Sequence, residues 1–284
     1  LTVHDPRLAA FRPDLADLRL QGQVEAGRFV EGRPARIGVS VADIRKAPRP
    51  DAGLNTQALF GDDVRVFDMA EGWAWVQNER DGYVGYVADT VLAERGAAPT
   101  HVVAAPRTFL YPGPDMKWPR SGELSLGSRV AVTGNAETRG TRYALLASGE
   151  AVVEAHLAPL GRYAPDFVTV AETLIHTPYL WGGASAFGID CSGLVQLSML
   201  MAGRNVLRDS DMQEMSLGSP VDPGAGLRRG DLAFWKGHVA IMTDAENMIH
   251  ANGHTMTVAN EPLGAAIDRI GYLYGGPTGF RRLD

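Results

Sequence analysis

Pro178-Tyr179-Leu180-Trp181-Gly182-Gly183, followed by Gly188-Ile189-Asp190-Cys191-Ser192-Gly193-Leu194-Val195-Gln196, holds the only cysteine among 284 residues. The first half, with two adjacent glycines, reads as a loop. After Asp190 the pattern changes. Leu194, Leu197 and Met201, with Val195 and Met199, recur at helical spacing, and Gly203 ends the run. This places Cys191 in the first turn of a buried helix, with Asp190 near the cap position. A thiol there meets unpaired backbone N–H groups and the positive end of the helix dipole, which favour thiolate. Asp190 pushes the other way, so a base is wanted.

Gly237-His238-Val239-Ala240-Ile241-Met242 suggests that base. His238 opens an apolar run that reads as a buried strand. Met248-Ile249-His250-Ala251-Asn252 reads as a second one. If the two pair through a turn over residues 243–247, His238 and His250 meet side by side. The chain order is then cysteine, histidine, histidine, the nucleophile, base and orienter of thiol hydrolases. A lone cysteine is more often a small buried hydrophobe, and a strand histidine more often structural. The conjunction shifts the balance toward catalysis.

Tyr179-x-Trp181-Gly182-Gly183, Asp190 to Val195, Gly230-Asp231-Leu232, Gly237-His238-Val239 and His250-Ala251 together resemble the NlpC/p60 family of cell-wall cysteine peptidases. The resemblance covers about the last 120 residues of the chain. It implies an α+β papain-like domain with Cys191 as nucleophile, His238 as general base and His250 as orienting residue. Tyr179 resembles the family's tyrosine beside the nucleophile, which orients the thiol or binds the developing oxyanion. The Cys191 backbone N–H is a second oxyanion donor. Trp181 reads better as packing.

With 45% hydrophobic residues the chain can bury more than one core. A formal net charge of −6 favours neither nucleic acid nor an anionic membrane as partner. One cysteine excludes an intrachain disulfide and gives no cysteine framework for zinc; no cofactor or metal is expected. No apolar run is long enough to span a bilayer. The charges at Asp5, Arg7, Arg12, Asp14, Asp17 and Arg19 do not read as a signal peptide. A cytoplasmic location is expected, with export the alternative if a leader has been removed.

Residues 1–34 read as an arm. Leu8, Phe11, Leu15 and Leu18 recur at helical spacing, interrupted by Pro13, and Phe29 and Val30 are available to plug a neighbouring domain. Residues 35–97 switch to short alternating runs: Ile37 to Val41, Val64 to Phe67, Trp73 to Val76 and Tyr83 to Val87. Turn signals such as Glu71-Gly72 and Asp81-Gly82 separate them. Leu59-Phe60-Gly61-Asp62, Gly72-Trp73-Ala74-Trp75-Val76 and Asp81-Gly82-Tyr83-x-Gly85-Tyr86-Val87 resemble a bacterial SH3-like domain. Residues 98–161 repeat the pattern more weakly, as a second, diverged barrel. Residues 162–284 form the peptidase domain. It starts with an amphipathic helix over Asp166 to His176, where His176 is a last-turn residue. His254 lies past the turn signal Asn252-Gly253 and should leave the strand.

The expected fold is thus two small all-β SH3-like barrels followed by an α+β papain-like domain. Such an arrangement resembles the muropeptide-recycling members of the family. The resemblance implies a stem-peptide substrate with a free N-terminal L-alanine, cut between γ-D-glutamate and meso-diaminopimelate or lysine. Its ammonium needs a buried carboxylate, for which Asp190 stands in place, with Ser192 and Ser210 as polar contacts. Relatives close the groove with an acid and a tyrosine of the first barrel, here Asp62 and Tyr83; Asp62 equally suits a hairpin turn. The chain is expected to act as a monomer. The alternatives are an exported hydrolase of intact wall, a non-catalytic peptidoglycan-binding protein and, more weakly, an acyltransferase.

Overall fold

Glu71 and Gly72 both have positive φ, 52° and 79°, the backbone a two-residue hairpin needs to follow the right-handed twist of its strands. The strands they join, Asp63–Ala70 and Trp73–Asn78, are central to a seven-stranded antiparallel sheet. A computed structural model describes residues 4–283. Within it the chain divides into two units, Leu1–Leu160 and Gly161–Asp284.

In the first unit the seven strands run 54–59, 41–45, 84–88, 73–78, 63–70, 33–37 and 92–93 across the sheet. Alternate residues Ile37, Ile44, Val64, Val66, Val76 and Val87 fill one core. The single run expected from Ile37 to Val41 is two strands, because the chain turns at Gly38, whose N–H bonds the Val91 carbonyl. Residues 101–159 make three smaller antiparallel sheets around Val103, Leu110, Leu124, Val130, Leu146 and Val152. Of the expected arm, residues 1–3 lie outside the described residues. The helical spacing of Leu8 to Leu18 forms no α-helix, since Pro13 removes a donor and fixes φ. Instead Ala16–Asp17 pairs with Phe29–Val30. Ala10 and Leu15 pack on Phe67, Trp75 and Val84, and the Arg12 guanidinium lies 4.5 Å over the Trp75 ring.

Asp62 is 1% exposed. One carboxylate oxygen accepts the Leu59 N–H at 2.8 Å, and the other accepts from the Arg80 guanidinium, which also reaches the Gly127 carbonyl. Asp62 is therefore a turn-forming residue of this unit. Tyr83 is buried in the same barrel, its N–H bonded to Asp81.

The second unit is built on one six-stranded antiparallel sheet. In chain order its strands are β1 (Ser219–Pro220), β2 (Leu232–Trp235), β3 (His238–Met242), β4 (Asn247–Asn252), β5 (Thr257–Pro262) and β6 (Gly279–Arg282), arranged β1-β6-β2-β3-β4-β5. The helices are α1 (Phe167–Glu172), α2 (Cys191–Met201), α3 (Ser210–Ser216) and α4 (Leu263–Tyr274). Ala240, Met242, Met248 and Trp235 pack on Ala266 and Ile270 of α4. Their neighbours Val239, Ile241, Ile249 and Ala251 alternate to the other face, and α2 packs against β3 and β4. Asp231, in the quoted Gly230-Asp231-Leu232, is structural: its carboxylate takes two bonds from Arg282, at 2.8 and 2.6 Å, locking β2 to β6.

The first helix of the peptidase unit is shorter than its periodicity suggests. Asp166 caps it through Val168 and Thr169, but it stops at Glu172. Thr173 turns its hydroxyl back onto the Val170 carbonyl at 2.7 Å and the chain tightens into i→i+3 turns. His176 is then not a last-turn residue. It has φ 66° and donates its N–H to Val258 of β5.

Candidate active site

Asp190 is the N-cap of α2, accepting the Gly193 N–H at 2.7 Å, so Cys191 is the first helical residue. The far end closes as the glycine signal requires. Gly203, at φ 81°, donates to Leu200, and Arg204 donates to Met199, which is a Schellman motif. The cap makes more bonds than a turn needs. Arg208 is fully buried and forks onto both Asp190 oxygens, at 2.9 and 2.8 Å. It also donates to Ser192 Oγ at 2.8 Å and the Gly183 carbonyl at 3.1 Å. Gly182 N–H and Ser192 Oγ complete the shell of Asp190 at 2.9 and 3.3 Å. The counter-charge of Asp190 is thus Arg208, which was not singled out from sequence. The signal available was the exclusion rule: an aspartate at a buried cap needs a cationic partner. Gln213 of α3 ties the group together, donating to the Ser192 and Leu207 carbonyls at 3.0 and 2.9 Å. Ser210 opens α3 and is half-buried.

Tyr179 is carried to the same place by two neighbours. Its N–H bonds the Met256 carbonyl at 2.8 Å, and it bridges to Ile189, one residue before the cap. Burial and the adjoining Cys191 and Asp190 charges push its hydroxyl up to about 12, so it is a proton donor at neutral pH. Trp181 is largely exposed, at 72%, so the packing expected for it is not what the structure shows; Gly182 on its C-terminal side turns the chain out at φ 75°.

His238 begins β3 and His250 lies in mid-β4. The pairs Ile241–Ile249 and Met242–Met248 fix the register. Continued, it sets His238 and His250 as diagonal neighbours on one face. Their rings meet with His238 Nε2 2.8 Å from His250 Nδ1 and their planes at 68°. The backbone N–H of Val239, next to His238, is near enough to the Cys191 sulfur to favour its thiolate. His250 Nε2 in turn lies 3.1 Å from Glu261 Oε2 of β5, off the line of a well-aligned hydrogen bond. Glu261 is gripped by Arg269 of α4, Nε to Oε1 at 3.0 Å and Nη2 to Oε2 at 2.6 Å. Neither Glu261 nor Arg269 was singled out from sequence. The short hairpin between Asn252 and Thr257 was the signal that could have found Glu261, since it sets the register. His254 is exposed in that hairpin, its N–H capped by Asn252 Oδ1 at 3.0 Å.

Burial, and then the Asp190 charge, push the Cys191 thiol up to about 12; the bonds from Val239 and Ser192 and the Arg208 charge only partly oppose this. The helix start therefore does not ionise the sulfur by itself. Burial lowers His238 to about 3, helped by His250 and Arg269. His250 falls to about 4, where burial and Arg269 outweigh the pull of Glu261. These shifts push the thiol and both imidazoles toward their neutral forms, which favours proton transfer together with attack on a carbonyl. As the first helical residue, Cys191 has an N–H without an intrahelical acceptor, and with the Tyr179 hydroxyl it can receive an oxyanion. Among the described residues no cluster of three or more His, Cys, Asp or Glu is placed to hold a metal ion. None of the described helices is long and apolar enough to cross a membrane.

The NlpC/P60 family profile matches residues 176–266, and that of the bacterial dipeptidyl-peptidase SH3 domain matches 44–92. The chain is 32% identical over 240 residues to a γ-D-glutamyl-L-lysine dipeptidyl-peptidase of Bacillus cereus, covering 74% of this chain and 71% of the relative. A protein of the same name from Bacillus subtilis is 27% identical over 226 residues, covering 71% and 73%. The crystal structure of an NlpC/P60 family protein from Bacillus cereus superposes with a TM-score of 0.73 at 26% identity, over 88% of this chain and 99% of that one. The similarity runs through an SH3-like domain and across the cysteine and both histidines, and a chain so related over most of its length and of its relative's belongs to the NlpC/P60 family of cysteine peptidases.

Proposed function

We propose that this protein cleaves the bond between γ-D-glutamate and the diamino acid, meso-diaminopimelate or L-lysine, of peptidoglycan stem peptides with a free N-terminal L-alanine. The observation that carries the reading is the 2.8 Å pairing of His238 with His250, next to the Val239 N–H that favours the Cys191 thiolate. The names of the two Bacillus relatives support the bond. In this mechanism Cys191 attacks the amide carbonyl as its proton passes to His238. The oxyanion rests on the Cys191 N–H and the Tyr179 hydroxyl. His238 returns the proton to the leaving amine, and then activates the water that opens the thioester.

Ser192 and Ser210, at the starts of α2 and α3, supply the polar contacts to the stem. In this reading the free amine meets Asp190, whose side chain keeps 12% exposure beside its Arg208 pair. We further read residues 98–161 as a second, diverged SH3-like barrel, and the whole chain as a cytoplasmic enzyme of cell-wall peptide recycling acting as a monomer. The all-β build of both segments supports the first point and the preference for free stems would support the second.

The test is release of the diamino acid, followed by mass spectrometry, from L-Ala-γ-D-Glu-meso-diaminopimelate and its L-lysine counterpart. N-acetylated copies, intact sacculi and Cys191→Ala protein run beside them. Cleavage of the free peptides alone, lost in the variant, is the expected outcome. Equal cleavage of acetylated peptide removes the free-amine requirement, and solubilisation of sacculi makes the protein a hydrolase of intact wall. No cleavage of any peptide overturns the substrate assignment.

A further inference from the structure

The row of polar side chains behind the nucleophile does not stop at His250. His250 pairs across the sheet with Ala259, and Met248 with Glu261. Glu261 is thus one diagonal step from His250, on the same face, just as His250 is one diagonal step from His238. Three adjacent strands present His238, His250 and Glu261 in a line. The links are 2.8 Å from His238 Nε2 to His250 Nδ1 and 3.1 Å from His250 Nε2 to Glu261 Oε2. His250 is 1% exposed, so no bulk water competes for its ring nitrogens. The bidentate grip of Arg269 fixes which Glu261 oxygen faces the ring.

This line has a direction. A carboxylate only accepts. A lone pair on His250 Nε2 would face the carboxylate charge 3.1 Å away, so Nε2 carries the proton even though the contact is off the line of an aligned hydrogen bond, and Nδ1 is bare. A bare Nδ1 can only accept from His238, so the His238 proton sits on Nε2. The remaining nitrogen of His238, Nδ1, then holds a free lone pair, as a base must. An amide or a hydroxyl at position 261 could donate as well as accept. The line could then run backwards and leave a proton on His238 Nδ1, where it blocks transfer from the thiol.

We infer that Glu261, held by Arg269, is a positioning residue that sets the tautomers of His250 and His238 in series and so makes His238 Nδ1 the base for Cys191. The inference rests on Cys191 and His238 acting as nucleophile and base. The proton ledger closes within the site: the S–H bond breaks, an N–H bond forms at His238 Nδ1, and the proton later leaves with the amine. The charged and titratable groups that act on the line are Glu261 on β5, Arg269 on α4 and His254 in the hairpin, while Asp190 and Arg208 act on Cys191. Burial alone would raise Glu261, but its bonds and charge contact with Arg269 keep it below the usual carboxylate range, so it stays ionised through neutral and mildly acidic pH.

The two partners act on the imidazoles with opposite sign, because Arg269 lowers both His238 and His250 while Glu261 raises His250. The experiment is the rate of Cys191 alkylation by iodoacetamide from about pH 2.5 to 9 on the full chain, without peptide substrate. It reads the thiol and its base directly and is independent of which stem peptide is cut. Wild type is compared with Glu261→Gln, Glu261→Asp and Arg269→Met, each checked for folding by circular dichroism. Glu261→Gln is expected to slow alkylation at pH 7 by at least about tenfold, a small part of the about 10⁴-fold that a wrong histidine tautomer costs in a serine triad. Glu261→Asp restores most of the rate. Arg269→Met leaves an unopposed carboxylate, holds protons on the imidazoles more tightly, and moves the acid limb of the profile to higher pH. Unchanged rates and profiles in Glu261→Gln and Arg269→Met overturn the inference. If Glu261→Gln does not fold, the acid limb of Arg269→Met decides: a shift to higher pH supports the inference and an unmoved limb overturns it. Failure of every peptide to be cleaved, with these alkylation shifts intact, would count against the substrate assignment and not against Glu261.

Discussion

Arg208 shows how one side chain can hold a site together without touching the reacting atoms. It has no exposed surface, and its guanidinium satisfies Asp190, Ser192 and Gly183 at once. Removing one member of a buried, hydrogen-bonded ion pair costs about 3–5 kcal/mol, because the other charge stays behind without its partner. Arg208→Met should therefore lower the unfolding free energy by about that much in urea titrations, and the Cys191 alkylation rate should fall with it as the α2 cap loosens. Arg208→Met combined with Asp190→Asn should recover part of the loss, since no bare charge remains. An unchanged midpoint in the single variant would mean that water or the backbone already neutralises Asp190. The identities of Asp190, Cys191 and the two histidines were legible in the sequence from spacing and from the family resemblance. Arg208 was not, because the sequence places it eighteen residues from Asp190 with nothing to say that the intervening chain folds back.

The nucleophile helix is set against its loop by close backbone approach. A Cβ on Gly193 would stand 2.4 Å from the Gly183 carbonyl oxygen and 3.0 Å from Asp190 Oδ1. Backbone cannot swing aside as a side chain can, so Gly193→Ala must push α2 away from the loop that carries Trp181 and Gly182. The expected cost is about 1–3 kcal/mol, with loss of peptidase activity. Gly271, inside α4, has open space around its Cβ position. Gly271→Ala should instead stabilise the protein by about 0.5–1 kcal/mol. Opposite shifts of the urea midpoint for the two variants are the check; the same sign for both would refute the close-approach account. Elements marked by an apolar run or by a cap, such as β3, β4 and α2, were readable. The boundary of α1 and the existence of α4 were not. In α1 a threonine hydroxyl competes with the helix, and α4 follows β5 with Pro262 at its N-cap and no side-chain cap bond.

On the scale of the chain, the two units are joined by residues 159–163, all five of them exposed. Leu160 and Tyr163 are 45% and 59% exposed. Exposed joints between units are where proteases cut first. Limited trypsin treatment should cleave early after Arg162, giving two fragments that resist further digestion; early cuts scattered through the strands would contradict the division. The N-terminal arm belongs with the first unit, since Ala10, Leu15 and Arg12 cover Phe67 and Trp75 of the SH3-like domain.

Local chemistry was enough to place a cysteine at a helix start, two histidines on neighbouring strands and barrel-forming hairpins ahead of them. Periodicity, caps and turn residues act over a few positions, and those few positions are adjacent in the sequence. The partner of Asp190, the carboxylate behind His250 and the arginine that holds it came only from the folded chain. Each depends on strand register or on a buried charge finding its counter-charge, and both are settled when distant segments pack together.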